Sequence, residues 1–486
     1  MNIFCLVYSY MYTIRLIIYI IFLSVSNMQE FDGYTLFTPF SVDEEVATTI
    51  LINNEYDILH TWSHDFFPAS MPYLLQDNSI IYPYKVQSPT MFAGGVGGGV
   101  QKLSWNGDVL WNYTLSNNTY QHHHDVEPLP NENVLMIAWE RKSAEEAYNA
   151  GRTSIENSLN EMWSEAILEI EAYTGNVVWE WHLWDHLIQD VNPELSNYGI
   201  IMDHPELFDV NCGDVGTNAG GPQQPNGDWM HMNSIHYNPI LDQIVLSSRL
   251  QSEIYIIDHS TTSEEAASHN GGNSEKGGDI LYRWGNPQNY DRGSNIDQLL
   301  FSQHSVNWIP QDFPGENNII LFNNFHSETH SSVIELIPPI DNFGNYIITD
   351  NQSYGPISWE WIYTCDILVP MQGGAFRLSN GNTIITQTHK AKMIEVDESG
   401  NNVWEYTYST DQIDDYWIAR ANKYSVEYFE NLVLGDINQD GILNILDIVM
   451  IVNIVLSSEF NESADLNSDG IVNVLDIVQL VNIILE

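Results

Sequence analysis

The feature that most constrains the fold of this chain is a short unit that recurs along residues 27–429. Each copy has a turn rich in Gly, Asn or Asp, followed by alternating apolar residues that include two aromatic side chains two positions apart. The six copies are Trp111 and Tyr113, Trp179 and Trp181, Tyr282 and Trp284, Trp359 and Trp361, Trp404 and Tyr406, and a weaker first copy at residues 56–62. Alternation with period two predicts strands, and repeats of this spacing are typical of a propeller, so we predict an all-β, six-bladed β-propeller. We expect the aromatic pairs to pack in the core between stacked sheets.

The composition indicates a folded chain and excludes one class of partner. The 486 residues are 43% hydrophobic and 12% aromatic, which is enough apolar material for a core. Only 15 Lys and Arg stand against 65 Asp and Glu, so the formal net charge is −50. A surface this acidic repels phosphate backbones, and we expect no nucleic-acid partner.

The N-terminus carries a short apolar run at residues 16–25, preceded by Arg15 and ending near Ser24 and Ser26. This pattern predicts a signal peptide at residues 1–26 and an exported protein, periplasmic or extracellular. A retained anchor is the alternative, but the run is shorter than the ~20 residues that a span needs, so we expect no stable membrane span after cleavage. In an exported compartment Cys212 and Cys365 can form a disulfide or remain free thiols.

Two stretches depart from the repeat. The long interval between Trp181 and Tyr282 predicts an insertion at residues 185–226, and long insertions on a rigid scaffold often carry function. The glycine-rich run at residues 94–99 lacks the Lys-Ser or Lys-Thr of a phosphate-binding loop and leads into alternating residues rather than a helix. We interpret it as a tight turn between blades and expect no nucleotide cofactor.

The last fifty residues contain two calcium-binding patterns. Oxygen-bearing side chains recur at positions 1, 3, 5, 9 and 12 of each loop, with a glycine at position 6 and a backbone carbonyl at position 7. The predicted ligands are Asp436, Asn438, Asp440, Ile442, Asn444 and Asp447 in the first loop and Asp465, Asn467, Asp469, Ile471, Asn473 and Asp476 in the second. Each loop opens an apolar helix, so we predict a small α-helical domain at residues 434–486 that holds two calcium ions.

This tail resembles a type I dockerin, which has Asp at position 12 and a single helix after each loop. The resemblance implies a role in attachment, with a cohesin-type protein as partner. The contact positions of dockerins are here Ile445 with Leu446 and Val474 with Leu475. A core of about fifty residues is marginal alone, so we expect calcium to supply much of its folding energy.

Within the propeller, the strongest group of candidate catalytic residues lies on one predicted hairpin. Residues i and i+2 of a strand share a face, so His231 and Asn233 are expected to point the same way. A hairpin centred on Ile240 places Arg249 opposite His231. Two further segments carry His124 and His304, which we expect in loops at strand ends near the propeller axis.

Together these segments resemble the aryl-sulfate sulfotransferase family, nucleotide-independent enzymes built on a six-bladed propeller. The motifs that carry the resemblance are Leu36-Phe37-Thr38-Pro39, His123-His124-Asp125, His231-x-Asn233-Ser234, Ser247-Ser248-Arg249, Gln303-His304 and Arg420-Ala421-Asn422-Lys423-Tyr424. The resemblance implies that His304 is the nucleophile that carries a transient sulfo group. It also implies that His124, His231, Asn233 and Arg249 hold the sulfuryl oxygens and manage protons. The implied substrates are an aryl sulfate donor and a phenolic acceptor.

Two other functions stay open at this point. A non-catalytic exported propeller that binds a glycan or a protein would need none of this chemistry. Residues 172–179 resemble the tryptophan-docking repeat of quinoprotein dehydrogenases, although the chain lacks an adjacent Cys pair and a haem C-x-x-C-H motif. The late threonines known in sulfotransferases cannot be placed, because the corresponding stretch reads Pro370-Met371-Gln372-Gly373-Gly374.

Overall fold

The computed structural model describes residues 29–41, 46–216, 224–341, 344–410, 413, 415–430, 435, 437, 443–457, 462–464, 466–467 and 471–485. The predicted signal peptide at residues 1–26 lies outside the described residues. In the described part of the chain no helix has both the length and the apolar character needed to cross a membrane. Cys212 and Cys365 are both free thiols.

Strands dominate the described residues, as period-two alternation predicts. They are β1 (Gly33–Phe37), β2 (Pro39–Phe40), β3 (Ala47–Ile52), β4 (Ile58–His64), β5 (Tyr73–Leu74), β6 (Ile80–Lys85), β7 (Gly98–Leu103), β8 (Val109–Thr114), β9 (Tyr120–Pro128), β10 (Val134–Ser143), β11 (Glu161–Ile170), β12 (Val177–His182), β13 (Leu187–Ile188), β14 (Phe208–Asp209), β15 (Met232–Asn238), β16 (Gln243–Ser248), β17 (Glu253–Asp258), β18 (Tyr282–Trp284), β19 (His304–Trp308), β20 (Ile319–Asn323), β21 (Ser332–Leu336), β22 (Trp361–Thr364), β23 (Gly374–Arg377), β24 (Thr383–Gln387), β25 (Lys392–Val396), β26 (Asn402–Thr407), β27 (Trp417–Ile418) and β28 (Asn422–Ser425).

These strands form six four-stranded antiparallel sheets, which confirms the six-bladed propeller. Blade 1 is β5 to β8, blade 2 is β9 to β12, blade 3 is β15 to β18, blade 4 is β19 to β22, and blade 5 is β23 to β26. The closing blade has the order β28, β1, β3, β4, and two short pairs, β2 with β27 and β13 with β14, lie outside the blades. The first strands β9, β15, β19 and β23 contact one another in series, which places them at the centre of the ring.

The ring is closed by strands from opposite ends of the propeller sequence. β28 pairs with β1 in antiparallel register from Gly33 opposite Ser425 to Leu36 opposite Asn422. Because β28 is followed in space by β1, β3 and β4, the last strand of the chain supplies the central edge of a blade that the first strands begin. This pairing closes the ring, and the edges that remain belong to short strands.

Apolar side chains fill the spaces between consecutive blades. Six clusters of buried residues each draw on two neighbouring blades; Trp179 and Met232, for example, belong to the cluster between blades 2 and 3. The aromatic pairs of blades 1, 2, 3 and 5 lie on the outermost strands β8, β12, β18 and β26, and in the closing blade β4 carries Trp62 but begins after Tyr56. In blade 4 the pair is Trp361 and Tyr363, stacked with centroids 6.5 Å apart, because the strand begins at Trp361 and leaves Trp359 in the preceding loop.

Five α-helices occur among the described residues, and they lie in connections between strands or after the last strand. They are α1 (Ala144–Asn149), α2 (Ser263–Ala266), α3 (Glu427–Glu430), α4 (Ile445–Ser457) and α5 (Val474–Leu485). α4 and α5 follow the two predicted calcium loops and share a small core that includes Ile451, Leu466 and Leu480. This arrangement matches the small helical domain predicted for the tail.

A buried ion pair ties the closing blade to blade 5. Lys423 on β28 lies 2.6 Å from the carboxylate of Glu395 on β25, and both side chains are fully buried. The same ammonium group lies 4.0 Å from the ring centroid of Trp404 and donates to the side-chain oxygen of Asn54. Lys423 therefore joins three strands at the point where the ring closes.

Replacing Lys423 with Met should lower the free energy of unfolding by about 3–5 kcal/mol, since the substitution leaves the Glu395 carboxylate buried without its cation. Urea denaturation followed by tryptophan fluorescence measures this change. The matched control is Lys392→Met, because Lys392 forms a 3.0 Å pair with Glu405 that is largely exposed, and its loss should cost about 0–1 kcal/mol. An equal loss in the free energy of unfolding for the two variants would contradict a larger contribution from the buried pair of Lys423 and Glu395.

Candidate active site

The first strands of blades 2, 3 and 4 surround the central channel of the ring. Each of them is irregular near one of the predicted site histidines. β9 carries extra residues between His122 and Val126, β15 carries Asn233 as an extra residue, and β19 carries one between His304 and Asn307. His124, His231 and Ser305 have positive φ angles of 55°, 53° and 57° at these points. Bulges re-aim side chains and occur next to active sites. The β9 bulge therefore contains His124, and the other two bulges lie within two residues of His231 and His304.

This placement corrects the expectation that His124 and His304 lie in loops at strand ends. His124 lies within β9 and His304 is the first residue of β19. The expected shared face of His231 and Asn233 is also interrupted, because His231 precedes β15 and Asn233 is itself the bulge. Alternation along a regular strand could not reveal either irregularity.

The orientation of His304 follows from a chain of amide hydrogen bonds. The Asn324 side-chain nitrogen donates to the carbonyls of Val369 and Gln372 at 2.8 and 2.7 Å, which assigns its Oδ1 as an acceptor. Nδ1 of His304 lies 2.7 Å from that oxygen, so Nδ1 carries the hydrogen. The lone pair of a neutral His304 is consequently on Nε2.

Arg249 occupies the position predicted from the hairpin. Its backbone N–H donates to the carbonyl of His231 at 3.1 Å, next to the pair Met232 and Ser248. Its Nε is buried and has no hydrogen-bond partner in the described part of the chain. Burial lowers the pKa of this guanidinium, while Asp228 acts in the opposite direction. A buried N–H group without a partner is costly unless a ligand accepts its hydrogen bond.

Asn233 supports the site rather than pointing freely into it. Its side-chain nitrogen donates to the carbonyl of Gln303 at 2.7 Å. The Gln303 amide in turn donates to the hydroxyl of Ser247 and to the carbonyls of Ser248 and Glu253 at 2.9–3.0 Å. These bonds hold the backbone that precedes His304 against blade 3.

His231 and His124 are in edge contact, with ring centroids 4.6 Å apart. Nδ1 of His231 forms a very short hydrogen bond with a carboxylate oxygen of Asp228. The other oxygen of Asp228 accepts from the indole N–H of Trp139 at 3.1 Å. The carboxylate thus fixes the His231 ring through Nδ1 and leaves Nε2 as the nitrogen available for chemistry.

His124 belongs to a second hydrogen-bonded chain that runs away from the channel. Its Nδ1 lies 2.8 Å from Nδ1 of His123, and Nε2 of His123 lies 2.8 Å from Glu165. Burial raises the pKa of Glu165 well above its ordinary value, and Asp228 raises it further. In the state with Glu165 protonated, Glu165 donates to His123 and His123 donates to His124. In that state Nε2 of neutral His124 bears a hydrogen.

Electrostatics favour the neutral form of His304 and His124. Burial lowers the pKa of His304 well below its ordinary value, and the nearby Arg249 guanidinium lowers it further against the opposing hydrogen bond with Asn324. Burial also lowers the pKa of His124, and the neighbours His231, His123 and His304 add to the shift. A neutral imidazole is a nucleophile, whereas an imidazolium is not.

Several residues at the site were not selected from the sequence. Arg420, which precedes β28, lies 2.7 Å from Asp125 on β9 and donates to the hydroxyl of Ser70, and its charge lowers the pKa of His304 and His124. Three further residues act through side-chain hydrogen bonds: Asp228 with His231, Glu165 with His123, and Asn324 with His304. Only Asp125 and Arg420 lie in motifs that carried the family resemblance, so that resemblance was the available signal for those two.

The glycine-rich run adjoins the site instead of serving only as a turn. The carbonyl of Gly95 accepts from the backbone N–H of His124 at 2.7 Å. Gly95 has a φ of +77°, and a Cβ built on it would lie 1.9 Å from Cε1 of His124. The missing side chain is what allows the His124 ring to occupy its position.

The C-terminal domain contains a second candidate site. The position-12 carboxylates Asp447 and Asp476 are buried, and each accepts a backbone N–H from its own loop, Asn444 or Asn473, at 2.9 or 2.8 Å. This repeated geometry orients one carboxylate per loop and fits a hard cation. Of the other predicted ligands, Asn467 and Ile471 are described, while Asp436, Asn438, Asp440, Ile442, Asp465 and Asp469 lie outside the described residues.

Comparison with protein families defines the class of both domains. Residues 76–338, which are more than half of the chain, match the arylsulfotransferase (ASST) family, and residues 434–485 match the dockerin type I domain. The chain belongs to the arylsulfotransferase family and carries a C-terminal dockerin. Dockerins typically bind calcium and are typical of extracellular or cell-surface proteins. A search of curated proteins found no match.

The similarity of this chain to solved structures is low. A Bacteroides caccae protein of unknown function is 12% identical, with 81% of this chain and 98% of that chain covered and a TM-score of 0.43. Kuenenia stuttgartiensis hydrazine synthase is 12% identical, with 61% and 70% covered and a TM-score of 0.32. A streptogramin B lyase is 9% identical, with 82% and 96% covered and a TM-score of 0.35. Similarity at this level says nothing about the reaction.

Gly95→Ala should reduce turnover of an aryl sulfate by about 100-fold, because the added methyl group displaces the His124 ring. The matched control is Gly107→Ala, where φ is +85° but no atom lies within 4 Å of the added Cβ. Both substitutions carry the backbone strain of about 1–2 kcal/mol for a left-handed residue. Thermal unfolding and initial rates should therefore show strain in both variants and loss of activity in Gly95→Ala alone. Normal activity in folded Gly95→Ala would contradict a role for the ring position of His124.

Proposed function

We propose that this chain is a nucleotide-independent aryl sulfotransferase that moves a sulfuryl group from an aryl sulfate to a phenol through His304. The observation that carries the proposal is the state of His304. Its Nδ1 is engaged by Asn324, its Nε2 has no hydrogen-bond partner among the described residues, and Arg249 lies close enough to lower its pKa. The neutral imidazole of His304 is thus held beside the guanidinium group of Arg249.

The sulfuryl group would be held by the donors around His304. Arg249 presents a planar fork with a partnerless Nε, and His124 presents Nε2–H while remaining neutral. Sulfuryl transfer resembles phosphoryl transfer in its loose transition state, so positioning and charge stabilisation on the equatorial oxygens provide most of the catalysis. Asn233 acts as a positioning residue through the Gln303 carbonyl.

In the first half-reaction Nε2 of His304 attacks sulfur, and the bond between sulfur and the aryl oxygen breaks. The electron pair of that bond goes to the aryl oxygen, which takes a proton from Nε2 of His231 and leaves as a phenol. Asp228 offsets the charge that His231 carries while it holds both protons. The sulfo group remains on Nε2 of His304, whose Nδ1–H stays on Asn324.

The second half-reaction reverses these roles. Neutral His231 takes the proton of the acceptor phenol, and the phenol oxygen attacks the sulfur of sulfohistidine. The bond between Nε2 and sulfur breaks and its electron pair returns to His304. Because the same imidazole alternately gives and takes one proton, the expected kinetics are ping-pong.

We further propose that the propeller, residues 27–429, is the catalytic domain of an exported enzyme and that residues 434–486 attach it to a cohesin-type partner. Support comes from the buried pair of position-12 carboxylates and from the apolar residues Ile445, Leu446, Val474 and Leu475, all more than half exposed at the starts of α4 and α5. Two calcium ions, one in each loop, would order the loops that open these helices.

A donor-only pulse tests the proposed intermediate. Brief incubation with 4-nitrophenyl sulfate should release one equivalent of nitrophenol and leave a sulfo group on the peptide that contains His304, detected by mass spectrometry. His304→Ala should form no adduct, while His330→Ala, at a partly exposed histidine, should behave as wild type.

The outcomes separate the open alternatives. Acceptor-independent turnover without an adduct would indicate a sulfatase, and absence of any burst in folded wild type would favour a binding propeller. Dye reduction on addition of a quinone cofactor would favour a dehydrogenase.

The pH dependence of the burst should reflect the buried state of His304. Because its pKa lies well below the ordinary value of about 6.5, His304 stays neutral and nucleophilic as the pH falls through 6.5. With 4-nitrophenyl sulfate, whose leaving group needs little acid assistance, the burst rate constant should be unchanged from pH 8 to pH 6. Stopped-flow absorbance measures it, with circular dichroism as the control for folding. A midpoint near pH 6.5 would contradict the shifted pKa.

A further inference from the structure

A compact cluster of metal-ligand side chains lies outside the channel, between the insertion of blade 2 and the loop before β18. Nδ1 of His186 and Nδ1 of His269 each lie 2.8 Å from the same carboxylate oxygen of Asp279. One ligand atom from each of the three residues lies within 4.8 Å of the others. His186 is fully buried and Asp279 nearly so, whereas the side chain of His269 is 61% exposed.

The hydrogen bonds of His186 indicate that its Nδ1 is a ligand nitrogen. Nε2 lies 2.8 Å from the backbone carbonyl of Ala266, which can only accept, so Nε2 carries a hydrogen. In the neutral ring, Nδ1 then has a lone pair that points at the Asp279 carboxylate. Two acceptors facing each other require a cation between them, either a proton or a metal ion. A histidine whose second nitrogen donates to a carbonyl is the common arrangement of a metal ligand.

The ring of His186 is rigidly held for this role. It stacks on Trp181 with the planes 7° apart, and the Trp181 indole donates to the carbonyl of Gly278, next to Asp279. His269 approaches from the segment after α2, with its ring nearly perpendicular to that of His186. Three separate segments of chain thus converge on one carboxylate oxygen.

The cluster opens onto a cavity beside the insertion. This cavity has a volume of about 870 Å³ and is lined by His269 and Asp279 together with insertion residues that include Trp184, Tyr198, His204 and Glu206. The fourth coordination position of an ion bound by the three residues would face this space. Three protein ligands and one open position are typical of a catalytic zinc site, whereas structural sites are closed.

We propose that His186, His269 and Asp279 form a zinc-class metal site with one exchangeable position directed into the cavity of the insertion. Two nitrogen donors and one carboxylate suit Zn²⁺ and disfavour Ca²⁺ or Mg²⁺, which prefer oxygen. Bonds of 2.0–2.1 Å in tetrahedral geometry place ligand atoms about 3.3 Å apart. Each of the two contacts between a histidine Nδ1 and the Asp279 oxygen, now 2.8 Å, therefore needs to lengthen by roughly half an ångström. The net charge of −50 favours cation binding in general, and the donor set supplies the selectivity.

Cobalt provides a test that the dockerin loops do not confuse. Metal-free full-length protein is titrated with Co²⁺ in the presence of millimolar Ca²⁺, which occupies the oxygen-rich loops. We expect visible absorption bands of tetrahedral Co²⁺ with a stoichiometry of one, and displacement of these bands by one equivalent of Zn²⁺. His269→Ala and Asp279→Asn should each weaken Co²⁺ binding by at least about tenfold.

The controls make each outcome decisive. His269→Ala removes a largely exposed side chain, so it keeps the test valid if Asp279→Asn fails to fold. His330→Ala should leave the affinity unchanged. Absence of tetrahedral bands in wild type would overturn the proposal and assign the cluster as a protonated histidine paired with Asp279. Equal losses in His330→Ala and His269→Ala would overturn it as well, by showing adventitious binding.

Discussion

Everything at the centre of this propeller depends on the antiparallel pairing of β1 with β28. That pairing converts an open row of six sheets into a ring, and the first strands of blades 2, 3 and 4 lie side by side around its axis. The histidines of the candidate site are separated by up to 180 residues along the chain, from His124 to His304. Arg420 lies two residues before β28, so the closing strand also carries a cation to the channel.

The central charges are arranged against the character of the molecule as a whole. A chain with a net charge of −50 would repel an anionic substrate, yet the partly buried Arg249 and the buried Arg420 both lie near His304. Burial removes water from these groups and strengthens their field at short range. Asp125 and Asp228 balance the two guanidinium groups without occupying the Nε of Arg249. The site is therefore locally cationic inside an acidic protein.

Repetition made the fold predictable, whereas irregularity concealed much of the site. The aromatic pairs marked all six outer strands, and the turn at Ile240 correctly placed Arg249 beside His231, because both depend on local alternation. A bulge adds a residue without changing composition, so the position of His124 within a strand and the bulge at Asn233 were not predicted. Asp228 and Asn324 act on His231 and His304 through side-chain contacts that no spacing rule encodes. In the tail, fixed offsets of oxygen ligands were sufficient to recognise the dockerin.

Ring closure by the last strand also has a consequence for biosynthesis. While the ribosome is still extending the chain, β1 can pair with β3, but its other edge has no partner until β28 has been made. A polypeptide that ends before β28 consequently has no closed ring, however well its earlier sheets form. Because the dockerin follows β28 in the sequence, any chain that has been synthesised as far as the dockerin already contains the strand that closes the ring.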